Sequence, residues 1–217
     1  MALTDITRAQ IEMLDLVPDS PLIAVDADEV LVYFMRHFRD FSAEKSWRLN
    51  PGAGRLDQAL THIEDGSIAD MATGLGLIDA FFQAEVHNQI AIDWAASSLK
   101  EASLSAQIVV LTNLPHAARD GRIANLGGHG IPYPVVTNTG GKGFALAELA
   151  ARVDGPVLFI DDSAAQIESA AKEAPQVRRM QLIGCDYAAP ALPRTDAAET
   201  LALDWGDGQR WIKRVLG

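Results

Sequence analysis

With 217 residues, 48% hydrophobic and 22% charged, the chain is long enough to bury a core and too apolar to be disordered. A formal net charge of −11 excludes a protein that grips nucleic-acid phosphates through a broad basic surface. The single cysteine, Cys185, can form no internal disulfide; it fits a reducing compartment and reads as a small buried hydrophobe.

The chain opens on a helical pattern that Thr4 or Asp5 can cap, with Ile6, Ile11, Leu14 and Leu16 near helical spacing and Pro18 as its stop. Asp5, Glu12 and Asp15 interrupt the apolar stretch and basic start that a secretory leader needs. No apolar run approaches the ~20 residues of a bilayer span, so the expectation is a cytoplasmic protein without a membrane partner. Leu22 to Val25 then reads as a buried strand of a parallel sheet, delivering Asp26 and Asp28 at its carboxyl end. Two like charges this close need a cation or a proton between them, which implies a hard-metal site, an acid/base pair, or both.

Further strand-like runs follow at Ile108–Leu111, Tyr133–Val136, Val157–Ile160 and Met180–Ile183, with helical patterns at Gly143–Val153 and Ser163–Ala174. Such alternation predicts an α/β fold, a three-layer Rossmann-like parallel sheet with helices on both faces. The stretch from Tyr33 to Ala106 is too long for one crossover. Its helical candidates are Arg55–Glu64, Ile68–Leu75 and Leu77–Leu99, with Asn50–Gly54 as a loop or hinge. It is expected to form an inserted α-helical unit at 34–105 over the carboxyl edge of the sheet, leaving 1–33 and 106–217 as the sheet-bearing core. Phe81, Phe82 and Trp94 are expected in the insertion's own apolar core.

Three more groups sit where strands end or helices begin: Thr112 and Asn113 in LTNLP, Lys142 in the glycine-rich turn TNTGGKG, and the adjacent Asp161 and Asp162 in VLFIDDSAAQIESA. Each has a local explanation as turn former, surface charge or helix cap. Their order is the informative part. A DxD pair, then threonine, then lysine, then an acidic pair resembles the haloacid dehalogenase superfamily over roughly residues 20–32 and 107–175, and the 34–105 insertion looks like that superfamily's helical cap, with 1–33 and 106–217 as its catalytic core. A phosphate-binding P-loop would need serine or threonine after GK and a glycine at the start of the motif, where Gly143 and Val136 stand. A receiver domain places its acidic pair before its phosphoacceptor. Gly74-Leu75-Gly76 lacks the third glycine of a dinucleotide site.

The resemblance implies phosphoryl chemistry with Asp26 as nucleophile, Asp28 as proton donor and acceptor, and Thr112, Asn113 and Lys142 as phosphate ligands. It implies Mg²⁺ held among Asp26, Asp28 and the acidic pair, with Asp162 the first choice there and the division between Asp161 and Asp162 open. Members that cleave carbon–halogen bonds generally lack an aspartate at the place of Asp28. The expected activity is therefore Mg²⁺-dependent hydrolysis of a small phosphorylated metabolite through an aspartyl-phosphate, by a monomer or homodimer. A phosphomutase, or a binding protein without turnover, are the alternatives. Gln166 stands where many relatives carry a second aspartate. Arg36, Lys45, Arg48 and Arg55 could meet a second anionic group, and His116 could line the pocket. As ordinary features they are a solvated helical face and a capping side chain. His62 and His87 have no metal-ligand spacing.

Overall fold

A computed structural model describes residues 3–51 and 59–217. Six parallel strands form the main sheet in the order β5-β4-β1-β6-β7-β8. They are β1 (Leu22–Val25), β4 (Gln107–Thr112), β5 (Val135–Thr137), β6 (Val157–Asp161), β7 (Arg178–Leu182) and β8 (Thr200–Ala202). The uninterrupted apolar run of β1 is explained by its central place: all four residues are buried, with Leu22 paired to both Gln107 and Val157.

Alternation along the strands divides the core into two layers. Ile23, Val25, Ile108, Val110, Leu158 and Ile160 face one side, where they meet α4 (Ala95–Ala102), α5 (Arg119–Gly128) and α8 (Trp205–Leu216). Leu22, Ala24, Val109, Leu111 and Phe159 face the other, against α1 (Asp5–Glu12), α6 (Gly143–Ala150) and α7 (Ala164–Glu173). Helices on both sheet faces give the expected three-layer architecture. Thr4 caps α1 through its side chain, and α1 ends at Glu12, well before Pro18. Among the described residues no helix is long and apolar enough to cross a membrane.

The intervening segment holds α2 (Met35–Glu44), β2 (Trp47–Leu49), β3 (Leu60–His62) and α3 (Met71–Glu85). Two helical expectations fail here. Residues 60–62 are a strand paired antiparallel to β2, with Leu49 opposite Leu60, so the Arg55–Glu64 helix is corrected for its described part. Three residues cannot reveal their period, and the pairing partner lies outside any local window. Arg55 itself, with most of the Asn50–Gly54 loop, lies outside the described residues. The Leu77–Leu99 helix is likewise two pieces: α3 runs unbroken from Met71 to Glu85 behind an Asp70 cap, and α4 starts only after Trp94, which has φ +67°.

Phe34, Phe38, Phe41, Phe81 and Phe82 form a separate apolar cluster with ring centroids 5.2–5.6 Å apart, in the stacked and edge-to-face geometries aromatics favour. Trp94 is not part of it, being 74% exposed. Within the 34–105 stretch, Ala95, Leu99 and Ala102 of α4 join the apolar layer of the main sheet.

Candidate functional site

Parallel strands aim their carboxyl ends one way, so β1, β4 and β6 bring Asp26, Thr112 and Asp161 to a common edge. The backbone N–H of Asp26 still donates to Ile160 O at 2.9 Å, continuing the pairing one residue past β1. The chain then turns sharply, with Ala27 O accepting from the N–H groups of Leu31 and Val32 at 2.8 and 3.0 Å. Glu29 takes φ +63° in this turn, a left-handed conformation unfavourable for a residue with a Cβ. Its carboxylate helps hold it there, since Oε1 accepts from the N–H groups of Phe34 and Met35 at 2.9 and 2.5 Å as α2 begins.

Lys142 enters from the turn before α6. Its backbone N–H donates to Gln166 Oε1 at 2.8 Å and the next N–H, of Gly143, to Ser169 Oγ at 3.0 Å. Gly143 is required by this close approach, because a Cβ there would stand 2.2 Å from Ser169 O. Asn113 braces the same turn: Nδ2 donates to Gly140 O at 2.7 Å and Oδ1 accepts from Asn138 Nδ2 at 2.9 Å. His116 faces β5, with Nδ1 2.5 Å from Thr137 Oγ1.

The ammonium of Lys142, 1% exposed, lies between two carboxylates. Nζ donates to Asp161 Oδ2 at 2.6 Å and sits 2.6 Å from Asp26 Oδ1, the latter an ion pair out of hydrogen-bonding line. Asp161 Oδ1 also accepts from Ser163 N–H at 2.9 Å. Both Asp161 oxygens are therefore engaged within the protein, whereas Asp162 faces the cleft alongside Asp26 and Asp28. Carboxylate oxygens of Asp26, Asp161 and Asp162 lie within 4.8 Å of one another. Three carboxylates against one ammonium leave a net negative charge in a buried site, the donor set and charge that a hard divalent cation matches. Thr112, fully buried, has a hydroxyl oxygen without a partner, as a side chain awaiting a ligand would.

Burial pushes the Asp26 carboxyl up to about 7, with Asp161 and Asp28 adding to the effect and Lys142 opposing it. Burial also raises Asp162 well above the ordinary carboxylate range, reinforced by Asp161 and Asp26. At Lys142, burial favours loss of the proton, but Asp161 and Asp26 outweigh it and hold the amine charged. Cys185 is pushed up to about 11, first by burial and then by Glu29 beside it, which makes it a poor nucleophile.

Asp26 binds its proton more tightly folded than unfolded, so its contribution to stability is greatest below its ordinary value of 3.8 and is lost as pH rises through about 7. A cation bound at Asp26 would reverse that loss by favouring the ionised form. The rise in Tm on replacing chelator with Mg²⁺ is expected to be larger at pH 8 than at pH 5. Equal rises at both, measured by differential scanning fluorimetry, would argue against a cation binding at Asp26.

The cleft over these groups holds about 300 Å³. Its acidic floor is Asp26, Asp28, Glu29 and Asp162, while Phe34, Met35, Leu192 and Pro193 are among its walls. A larger cleft of about 600 Å³ between α4 and α8 touches none of these groups. Of the cationic side chains considered for a second anion, Arg36 pairs with Asp186 and lies 4.7 Å over the Tyr33 ring. Lys45 lies 4.9 Å over Phe41. Neither lines the cleft. Two site neighbours had no local signal in the sequence: Gln89 and Arg122, which both bond Asp28.

No family model matches the chain, and no curated protein matches it. Solved structures do. A haloacid dehalogenase-like hydrolase from Streptococcus pneumoniae is 12% identical, with a TM-score of 0.61 over 89% of this chain and 98% of that one. A hydrolase of the same family from Deinococcus radiodurans, with bound phosphate and sodium, is 13% identical, with a TM-score of 0.59 over 93% and 97%. The L-2-haloacid dehalogenase of Xanthobacter autotrophicus is 16% identical, with a TM-score of 0.56 over 90% and 98%. The chain thus has the haloacid dehalogenase-like fold, one shared by proteins of more than one chemistry.

Proposed function

We propose that the chain is a Mg²⁺-dependent phosphatase acting on the monophosphate of a small, weakly polar alcohol through an aspartyl-phosphate. The observation that carries this reading is the buried Asp26–Lys142–Asp161 ion-pair chain beside the unpartnered hydroxyl of Thr112. In the first half-reaction an Asp26 oxygen attacks phosphorus, the bond to the leaving oxygen breaks, and Asp28 supplies the proton that oxygen needs. In the second, water attacks the same phosphorus, Asp28 takes its proton, and Asp26 is released. Thr112 and Lys142 meet the charge on the phosphoryl oxygens. Asp161 orients Lys142, and Asn113, with its side chain tied to Gly140, holds the turn that carries it. Bound at Asp26, Asp162 and the Asp28 carbonyl, Mg²⁺ would supply positive charge at the phosphoryl group.

The acceptor side of the cleft supports the substrate class. Among the described residues, its walls offer apolar side chains, and Ser163 is their one hydroxyl. A sugar or nucleotide would find few partners for its polar groups among these described side chains, each unmade bond an energetic loss. The test is Mg²⁺-dependent phosphate release across aryl, alkyl, sugar and nucleotide monophosphates, with chloride release from 2-chloropropionate run in parallel. Alkyl and aryl esters are expected to lead. Chloride release, or sugar phosphates first in kcat/KM, would replace this reading.

A further inference from the structure

Asp28 is held by two side chains that take no direct part in the chemistry above. Arg122 Nη2, from α5, donates to Asp28 Oδ1 at 2.6 Å, and Gln89 Nε2, from the segment between α3 and α4, donates to the same oxygen at 3.1 Å. The two holders are themselves joined, Arg122 Nη2 donating to Gln89 Oε1 at 2.8 Å. Gln89 is fixed further by its own Nε2, which reaches Tyr33 O at 3.2 Å, and by Asn125 Nδ2, which donates to its backbone oxygen at 2.8 Å. Arg122 is fully buried and Gln89 1% exposed. Asp28 lines the cleft; Arg122 and Gln89 do not. Among the described residues, no hydrogen bond reaches Asp28 Oδ2.

Complete burial of a guanidinium is unfavourable, and a buried ion pair is seldom more stabilising than apolar side chains of the same volume. What such a network supplies is direction. An aspartate in a tight turn lining a cleft has more than one rotamer available. A proton donor must stand within hydrogen-bond reach of the oxygen it serves. With Oδ1 anchored by Arg122 and Gln89, Oδ2 is the oxygen left to face the cleft.

We propose that Arg122 and Gln89 are positioning residues that anchor Oδ1 of Asp28 and thereby present Oδ2 to the leaving oxygen of the substrate. This rests on the phosphatase reading. The proton on Oδ2 passes to the leaving oxygen as its bond to phosphorus breaks. Oδ2 regains a proton from the water that attacks the aspartyl-phosphate, and Asp28 ends as it began.

The consequence is a split by leaving group. Benzyl phosphate expels an alkoxide and needs the proton; 4-nitrophenyl phosphate, of similar size, expels a phenolate stable without it. Arg122→Met is expected to lower kcat for benzyl phosphate about a hundredfold and Gln89→Met, which leaves the shorter Arg122 anchor, about tenfold, with KM little moved and kcat for the nitrophenyl ester lowered by less than about threefold in each. Asp28→Asn should show the same split. If Arg122→Met fails to fold, Gln89→Met decides, since it keeps the Arg122–Asp28 pair. Equal losses on both esters in a folded variant would make these residues merely structural, and faster benzyl phosphate turnover would mean that they withdraw Asp28; either overturns the proposal. A wild-type protein that releases phosphate from neither ester sinks the phosphatase reading and the positioning role together, whereas equal losses sink the positioning role alone.

Discussion

Asp26→Asn is expected to lower phosphate release on the order of 10⁴- to 10⁶-fold, the loss seen when a covalent nucleophile is removed from a set of groups that act together. The amide keeps the shape of the carboxylate and lacks the charge that attacks phosphorus. The fold should tolerate it. Asp26 is a buried carboxyl whose pKa is already raised to about 7 by burial, with Asp161 and Asp28 adding to the rise, so removing its charge relieves crowding, while Lys142 keeps Asp161 at 2.6 Å. In chelator at pH 8 the variant is expected to melt no lower than wild type. Mg²⁺ should raise its Tm less, since one of its proposed ligands is gone. Phosphate release within tenfold of wild type by this variant would remove Asp26 as nucleophile and the aspartyl-phosphate with it.

Lys142→Met carries the largest expected loss of stability. The side chain is 1% exposed and lies within 2.6 Å of both Asp26 and Asp161, with Nζ 5.8 Å over the ring of Phe159. Methionine nearly fills the same space, so packing changes little and the electrostatic effect stands alone. Two buried carboxyls lose their counter-charge and must either stay ionised unpaired or take up protons. Breaking a buried pair in this way costs about 3–5 kcal/mol. Because the unpaired carboxyls bind protons more tightly still, the deficit should be larger at pH 8 than at pH 5. Urea unfolding at both pH values measures it. A second change, Asp161→Asn in the Lys142→Met background, removes one stranded charge and is expected to recover part of the loss. A Lys142→Met protein as stable as wild type at pH 8 would show that the ammonium does not balance these carboxylates. Activity should fall about 10²- to 10³-fold as well, the scale of losing one charged group at a developing oxyanion.

Both variants concern residues that stand out in the sequence for local reasons. Asp26 follows a four-residue apolar run, Lys142 lies in a glycine-rich turn that opens a helix, and Asp161 ends another apolar run. Strand-end position is a property of the chain near the residue, so their convergence could be expected once a parallel sheet was inferred. The main sheet was legible for the same reason: β1, β4 and β6 are buried on both faces and therefore carry unbroken apolar runs of four residues. The edge strand β8 (Thr200–Ala202) has no signal in the sequence because three residues with a polar start carry no period. The ribbon of β2 and β3 has none because each strand is three residues long and finds its partner across a loop.

By itself, then, the sequence determined the α/β class, the strands of the sheet interior and the acidic, threonine and lysine residues at their carboxyl ends, because burial period and strand-end placement are written within a dozen residues. Only the tertiary structure decided which of the adjacent aspartates serves Lys142 and which faces the cleft, since that depends on a side chain 19 residues away. It also decided that Asp28 is gripped by Arg122, 94 positions further on, and by Gln89, 61 positions on. Contacts at such separations arise when helices and returning loops pack against the sheet, and no local pattern of residue types encodes them.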